Sequence, residues 1–261
     1  MMNSINTNFD QIIAFAKNYN LPLGKKRAIL REFLQVKILD RIYQEKISVG
    51  LFFVGGTGLR LLRGLDRFSE YLDFDISHHT SNELDVLINI TARSIQKENI
   101  ALDLYSNITD KRKYYEFRFK DLLYELKLSS NPEEKLMIKF DFETFWKHQL
   151  QETILLNRYG FLTSVVTIPL NQLLVQKLTA YLLRRETQPR DIYDIVWLIS
   201  QGARIDKQFL QHNQLPNDLL SKVKEKFIRE KTRIKTLQSR LKPFLINEQY
   251  VSKISLLSKL I

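Results

Sequence analysis

The chain is 261 residues long, carries 40 Lys and Arg against 29 Asp and Glu for a formal net charge of +11, and contains no cysteine. With 44% hydrophobic and 11% aromatic residues it can bury a core, which excludes wholesale disorder. The lack of cysteine excludes a disulfide scaffold, a thiol nucleophile and any cysteine-ligated metal site. No apolar run approaches the ~20 residues of a membrane span, and the N-terminus lacks a secretory pattern, so we expect a cytoplasmic protein that contacts no membrane.

In the N-terminal half, hydrophobic residues recur with both helical and strand periods. Spacings of three and four residues predict helices over 9–19, 25–43, 57–62 and 82–97. Apolar or alternating runs predict strands over 51–54, 72–76, 114–119, 122–128 and 136–142. The last three of these strands form a plausible antiparallel meander.

The C-terminal half is predicted to be helical. From about residue 145 the strand signals almost vanish, and helices are predicted over 170–185, 191–200, 206–212 and 217–241. We therefore predict an α+β region over residues 1–150, followed by a helical domain over residues 151–261.

The positive charge is concentrated near the C-terminus. Residues 221–242, here called the basic segment, contain nine Lys and Arg against two Glu, a net charge of +7. We predict that this charge lies on one helix. Such an excess favours a polyanionic partner, for which a nucleic acid is the leading candidate. The alternative is a protein that is basic without any functional consequence.

The first candidate site is the turn that follows the strand predicted over 51–54. Gly55-Gly56 would let backbone N–H groups approach a phosphate, and the start of the next helix favours an anion. Alone the signal is weak, because two glycines after a strand are more often only a turn. It matches neither a Walker loop nor a complete GxGxxG fingerprint.

Two carboxylates on the next predicted strand strengthen this site. Asp73 and Asp75 are two residues apart, so both point to one face of the strand, where they could hold one divalent cation. A third carboxylate, Asp141, lies in another alternating segment and is a candidate for the same metal. The alternative is that these residues line solvent-facing strands.

Two blocks of sequence resemble a known family. Gly55-Gly56-Thr57, Leu59-Arg60-Leu61 and residues 67–75 are similar to the first motif of the AbiEii/AbiGii toxin family. A second block resembles the helical motif of the same family and contains Lys177-Leu178-Thr179-Ala180, Arg184 and Arg190-Asp191-Ile192-Tyr193-Asp194. That family comprises nucleotidyltransferases of the DNA polymerase β-like superfamily, found in abortive-infection and toxin–antitoxin systems.

The resemblance implies a fold, a reaction and a set of site residues. The implied fold is a polymerase β-like domain with a mixed sheet flanked by helices, followed by a helical domain. The implied reaction is Mg²⁺-dependent transfer of a nucleoside monophosphate from an NTP to an acceptor hydroxyl, with tRNA as acceptor and an antitoxin as partner. Mg²⁺ is assigned to Asp73 and Asp75, together with the candidate Asp141. Nucleotide binding is assigned to Gly55, Gly56, Thr57, Arg60, Ser69, Lys177 and Arg184. Catalysis is assigned to Asp73, Asp75, Lys177 and Asp191.

The second block has a purely structural alternative. Lys177 and Arg184 share one helix face, and Asp191 and Asp194 are neighbours on the next helix. These charges could form a salt-bridge network between two helices, which would not prevent Lys177 and Arg184 from contacting a triphosphate.

One residue departs from the family pattern. Where the first motif of the family usually carries its first aspartate, this chain has Tyr71. A neutral phenol is a poor ligand for a hard cation. Either Asp73 and Asp75 bind the metal together, or this member has lost catalysis and acts as a nucleic-acid-binding or toxin–antitoxin regulatory protein.

Overall fold

The structure is a computed structural model that describes residues 4–108 and 113–261. The α-helices are α1 (Ser4–Asn18), α2 (Lys26–Gln44), α3 (Gly55–Arg63), α4 (Ser81–Gln96), α5 (Leu122–Glu125), α6 (Leu170–Leu183), α7 (Pro189–Ser200), α8 (Lys207–His212), α9 (Leu219–Glu230), α10 (Ile234–Leu241) and α11 (Leu257–Leu260). The strands are β1 (Leu51–Val54), β2 (Tyr71–Ile76), β3 (Leu102–Ile108), β4 (Lys113–Phe119), β5 (Leu136–Glu143), β6 (Glu152–Arg158) and β7 (Phe161–Thr167). Among the described helices, none combines the length and the apolar character needed to cross a membrane.

The main sheet has five strands in the order β1-β2-β5-β4-β3. Strands β2 and β5 run parallel, whereas the other neighbouring pairs are antiparallel. The sheet is therefore mixed, and helices α2 and α4 pack against it. The predicted α+β architecture with a mixed sheet and a helical C-terminal part is confirmed.

One face of this sheet forms the core. Phe74 of β2 lies between Phe53 and Phe142, with ring centroids 5.3 and 5.1 Å away. All three rings are buried. Because side chains alternate along a strand, the residues between them point to the other face. That second face carries Asp73, Asp75 and Asp141.

A hairpin occupies residues for which no strand was predicted. β6 and β7 pair across Tyr159-Gly160, which have φ of +53° and +82°. Positive φ at both central residues is typical of the two-residue turns that join antiparallel strands. The Tyr159 ring packs edge-on against Tyr19 and Phe33. The prediction that strands vanish after residue 145 is wrong for residues 152–167.

A second correction concerns residues 122–128, which were predicted to be a strand. They begin instead with the short helix α5, in which Leu122 and Leu123 are buried. Asp121, directly before α5, adopts the left-handed conformation with φ of +57°. That conformation breaks the extended chain, and β4 pairs directly with β5.

The chain divides into two compact units. The first contains the described residues of Met1–Leu62, Phe68–Thr144 and Thr153–Thr167. The second contains Arg63–Arg67, Phe145–Glu152 and Ile168–Ile261. The boundary predicted at residues 150/151 lies inside Phe145–Glu152.

The basic segment does not form one helix. Helix α9 ends at Glu230, a 3-10 turn covers Lys231–Arg233, and α10 follows. The side chain of Lys226 points to the end of α6, where its ammonium group donates to the carbonyl oxygens of Tyr181 at 2.7 Å and Arg184 at 2.8 Å. Cations near a helix C-terminus satisfy carbonyl groups that lack intrahelical partners. Lys226 therefore has a structural role.

Candidate active site

The turn from β1 into α3 brings the backbone of Gly55 against the carboxylate of Asp73. Gly55 has a φ of +69°, in the region that glycine adopts most readily. A Cβ built on Gly55 would lie 2.7 Å from the carboxyl carbon of Asp73, closer than non-bonded atoms approach. Only glycine therefore fits between β1 and this carboxylate.

Strand pairing brings Asp141 beside Asp73. The two residues are register partners in the parallel pair β2–β5, while Asp75 is opposite Glu143. Neighbouring strands lie about 4.8 Å apart, so paired side chains on one face are close neighbours. Two carboxylates at this separation repel each other unless a cation or a proton neutralises one of them.

The carboxylates fit a metal held jointly by protein and substrate. In the part of the chain that the structure describes, no group of three or more His, Asp or Glu side chains is arranged to hold a metal ion. Asp73, Asp75 and Asp141 are therefore not gathered into one three-carboxylate site. Mg²⁺ is commonly bound by one or two carboxylates together with substrate phosphates. Asp73 and Asp141 lie beside the turn at Gly55, where a side chain would collide with Asp73. Two carboxylates next to a glycine turn match that mode of binding.

Tyr71 lies on the same strand face but in a different environment. It is the register partner of Lys139, whose ammonium nitrogen is 5.4 Å from the centre of the Tyr71 ring and 4.0 Å from a carboxylate oxygen of Glu116. A neutral phenol beside an ammonium group is a poor ligand for a hard cation. Position 71 therefore does not supply the carboxylate ligand that the family usually has there.

Three predicted nucleotide-binding residues have identified partners within the first unit. The buried hydroxyl of Thr57 donates to the carbonyl oxygen of Tyr71. The buried guanidinium of Arg60 donates to Glu32 at 2.8 Å. The carbonyl oxygen of Ser69 accepts from the Gln35 amide at 3.1 Å. These contacts hold the elements that surround the turn.

In the second unit, Lys177 belongs to a buried ionic cluster. Its ammonium group is 2.8 Å from Oδ2 of Asp194, and the Arg67 guanidinium bonds both oxygens of the same carboxylate at 2.7 Å. Burial alone would raise the pKa of Asp194, but Arg67 and Lys177 hold that pKa below its usual value. The carboxylate is fully buried, so it stays ionised only because both cations accompany it.

Arg184 and Asp191 form a second pair between α6 and α7. Nε of Arg184 is 3.2 Å from Oδ2 of Asp191. Asp191 is buried, whereas about half of the Arg184 side chain is exposed. This Oδ2 atom accepts no hydrogen bond from any residue that the structure describes. The interhelical ionic network considered from the sequence is present, and it contains both pairs.

Sequence reasoning assigned no role to Arg67. It lies 127 residues from Asp194 along the chain, and no periodic pattern connects the two. The only available signal was its position at the start of the stretch that resembles the first motif. The structure shows that Arg67 orients the carboxylate that also bonds Lys177.

Comparison with known families identifies the chain. The family described as nucleotidyl transferase AbiEii toxin, type IV toxin–antitoxin system, matches residues 37–252. The chain belongs to the AbiEii nucleotidyl transferase toxin family. The match confirms the resemblance seen in the two sequence blocks, and it also extends over the basic segment.

Solved structures support the same fold for this AbiEii family member. JHP933 from Helicobacter pylori is 20% identical, with a TM-score of 0.53, over 89% of this chain and 90% of that chain. MenT4, a nucleotidyltransferase toxin from Mycobacterium tuberculosis, is 19% identical, with a TM-score of 0.50, over 83% and 66%. A search of curated proteins finds no match.

The contact between Gly55 and Asp73 gives a direct test of the site. Gly55→Ala should destabilise the protein by about 2 kcal/mol or more, because the new Cβ collides with Asp73 and the backbone adopts positive φ. Any nucleotidyl transfer should be lost as well. Urea unfolding and a transfer assay would measure the two effects.

Gly64→Ala is the matched control. Gly64 also has positive φ, at +84°, but a Cβ built on it would meet no atom within 4 Å. It should cost only the backbone strain, about 1 kcal/mol, and leave transfer intact. Equal effects of both substitutions on transfer would show that the Gly55 contact has no special importance.

Proposed function

We propose that this protein is an active nucleotidyltransferase that transfers a nucleoside monophosphate from an NTP to a hydroxyl group of tRNA. The observation that carries the proposal is the position of Asp73, between the Gly55 backbone and Asp141, in a chain of the AbiEii family. We further propose that it acts in the cytoplasm and that a cognate antitoxin opposes it.

The turn after β1 is the proposed phosphate site. Gly55 and Gly56 begin α3, so their N–H groups and that of Thr57 are the first of the helix. These groups have no intrahelical acceptor, and the helix dipole favours an anion there. Because the Thr57 hydroxyl is bonded to Tyr71, we assign only its backbone to the phosphate.

Asp73 and Asp141 are the proposed ligands of Mg²⁺, with Asp75 as a neighbouring carboxylate. Bound Mg²⁺ would stabilise negative charge on the phosphoryl oxygens and neutralise the paired carboxylates. The pairing of β2 with β5 fixes the two backbones, so the carboxylates are pre-oriented before any cation binds.

The reaction exchanges one phosphorus–oxygen bond for another. The acceptor oxygen bonds to the α-phosphorus, the bond to the bridging oxygen breaks, and pyrophosphate leaves with the electron pair. The hydroxyl proton needs an acceptor or an orienting group, and we propose Asp191 for that role because the family resemblance implies it. For Lys177 and Arg184 we propose contact with the triphosphate, as the family resemblance implies.

The basic segment supports a nucleic acid as acceptor. Four of its cations are exposed and have no ionic partner among residues 4–108 and 113–261, namely Arg229, Lys231, Arg233 and Lys235. By contrast, Lys222 pairs with Asp218, and Lys224 bonds the Ile261 carbonyl. Exposed cations without acidic partners release counterions when they contact phosphates.

Charge reversal tests this surface. Combining Lys231→Glu, Arg233→Glu and Lys235→Glu should weaken tRNA binding and reduce the slope of log K against log[salt] by about 2–3. Each neutralised phosphate contributes about 0.7–0.9 to that slope. A filter-binding titration at several salt concentrations would measure the change.

The control reverses three exposed cations elsewhere, with the same change in net charge. Lys17, Arg93 and Lys97 lie on or beside helices of the first unit. Their reversal to Glu should leave the slope within experimental error. If both triple variants lose affinity equally, tRNA responds to net charge and not to the basic segment.

One observation favours a second function, binding without catalysis. The family usually has a metal ligand at the position of Tyr71, and in this chain the ammonium group of Lys139 lies beside that ring. Lys139 is also two residues from Asp141 on the same face of β5, where its positive charge would oppose the binding of a metal cation. In this alternative the protein binds nucleic acid and regulates a toxin–antitoxin system.

A labelling experiment separates the two functions. Purified protein is incubated with Mg²⁺, total tRNA and each α-labelled NTP in turn, and the RNA is resolved by electrophoresis. Label on tRNA with one or more NTPs supports transfer. Salt-sensitive tRNA binding without label from any of the four NTPs would reject the enzyme in favour of the binder.

Tyr71→Asp tests whether the departure from the family limits catalysis. The new carboxylate would lie on the same strand face as Asp73, so we expect faster transfer and half-maximal activity at lower Mg²⁺ concentration. Tyr71→Phe, which retains the ring, should show neither gain. If Tyr71→Asp instead inactivates a working enzyme, the tyrosine has a positive role, such as stacking on the nucleotide base.

A further inference from the structure

A group of exposed rings lies on the second unit, apart from the ionic pairs of α6 and α7. It consists of Phe145, Trp146, His148 and His212, here called the aromatic platform. Phe145 is 56% exposed, both histidines are exposed, and Trp146 is half-buried. The His148 and His212 rings stack with centroids 4.0 Å apart. Large rings usually lie in the interior, so a group of exposed ones marks a candidate binding surface.

The platform is held rigidly. The Trp146 indole stacks on the buried ring of Phe209, with centroids 5.3 Å apart, and Phe145 meets its edge at 5.0 Å. The side chain of Asn213 bonds both the N–H and the C=O of Lys147, at 2.9 and 3.0 Å. These contacts fix the backbone between the two exposed parts of the platform.

The backbone at His148 is strained. Its φ is +56°, in the left-handed region that few non-glycine residues adopt. Such a conformation costs free energy and persists only where the surroundings enforce it, and it is concentrated at binding and catalytic sites. Here it directs the His148 ring onto His212.

The surroundings of the platform are basic. Lys147, Arg204 and Lys207 are exposed in or beside the two segments that carry the platform. The carboxylates there are Asp206 and Glu152, and Glu152 is paired with Arg63. A set of exposed rings among cations is complementary to a nucleic acid, because bases stack on aromatic and imidazole rings while cations contact phosphates.

We propose that the aromatic platform binds unpaired bases of the RNA acceptor by stacking. This inference rests on the proposed function in one respect, namely that the acceptor is a nucleic acid. Every base has a face that can stack, so the platform would bind single-stranded RNA with little sequence preference. The basic segment would supply phosphate contacts, and the platform would supply preference for unpaired RNA.

Tryptophan fluorescence provides a direct test, since the chain has two tryptophans. Trp197→Phe leaves Trp146 as the sole indole. Titration with a single-stranded adenine oligoribonucleotide should quench its emission saturably, because a stacked base contacts the indole. A duplex of equal length should quench much less. Free N-acetyl-tryptophanamide corrects for absorbance by the RNA.

Substitutions in the platform then test its contribution to affinity. Phe145→Ala and His212→Ala should each weaken oligonucleotide binding about ten-fold, as expected for loss of one stacked base. Leu150→Ala is the control, because Leu150 is 59% exposed in the same segment but has no ring. Circular dichroism confirms that each variant is folded.

The outcomes separate this proposal from the proposed function. Quenching and loss of affinity without any nucleotidyl transfer would support the platform and reject the enzyme. Transfer to tRNA without quenching by single-stranded RNA would reject the platform alone. Unchanged affinity in both ring variants would also overturn the RNA assignment and make a protein the occupant to test next.

Discussion

Asp73→Asn is expected to lower nucleotidyl transfer by about 10³-fold and to relieve any growth inhibition caused by the protein. The amide keeps the shape of the side chain but removes the charge that would bind Mg²⁺, and metal stabilisation of a reacting phosphate supplies several kcal/mol. The loss should appear at saturating NTP, because the missing interaction acts on the transition state. A single-turnover assay with labelled NTP and tRNA would measure it.

The same substitution should not unfold the protein. Asp73 is opposite Asp141, so removing one charge relieves repulsion, and stability without metal should stay equal or rise slightly. Glu143→Gln is the matched control, since this exposed carboxylate lies two residues from Asp141 on the same strand. It should leave transfer near the wild-type rate. A folded Asp73→Asn protein with normal transfer would exclude Asp73 from the mechanism.

The local parts of the site were predictable from sequence because their signals lie within a few residues. The apolar run 51–54 ending at Gly55-Gly56 predicted strand, turn and helix, and β1 and α3 have that arrangement. The alternation around Asp73 likewise predicted β2. Asp141 could be placed on a strand, but its partner could not be identified. Its position opposite Asp73 depends on parallel pairing between strands far apart in sequence.

The secondary structure was predicted wrongly where the local pattern of apolar residues fits more than one element. Residues 122–128 contain leucines at spacings compatible with either a strand or a helix, and the left-handed Asp121 decides for the helix. Residues 152–167 alternate, but Leu155 and Leu162 are about 60% exposed, so apolar residues occupy both faces of the hairpin. Gly160 is typical of a turn, and together with the alternation on both sides it would have predicted this hairpin.

The ionic cluster shows the limit of such reasoning. Lys177 and Asp194 were visible as parts of a helical motif, and a pairing between helices could be expected from their charges. Arg67 comes from a different part of the chain and reaches Asp194 only in the folded protein. A burial-dependent, long-range contact of this kind leaves no periodic trace in the sequence.

Arg67→Ala is expected to destabilise the second unit by about 3 kcal/mol. Removing one partner of a buried ion pair leaves charge that is no longer compensated, and such changes cost about 3–5 kcal/mol. The lower figure applies because Lys177 still bonds Oδ2 of Asp194, while Oδ1 loses its cation. Lys222→Ala, which breaks the exposed pair with Asp218, should cost less than about 0.5 kcal/mol.

The effect of Arg67→Ala should depend on pH in a defined direction. The folded-state pKa of Asp194 lies below its ordinary value of 3.8, so the pairing contributes stability above about pH 4 and loses it as pH falls through the folded pKa. The difference between wild type and Arg67→Ala should therefore be largest near neutral pH and shrink below about pH 4. Urea unfolding followed by tryptophan fluorescence reports on the correct unit, since Trp146 and Trp197 both lie in it. A difference that stays constant from pH 7 to pH 3 would mean that Arg67 stabilises the protein by packing and not through the Asp194 carboxylate.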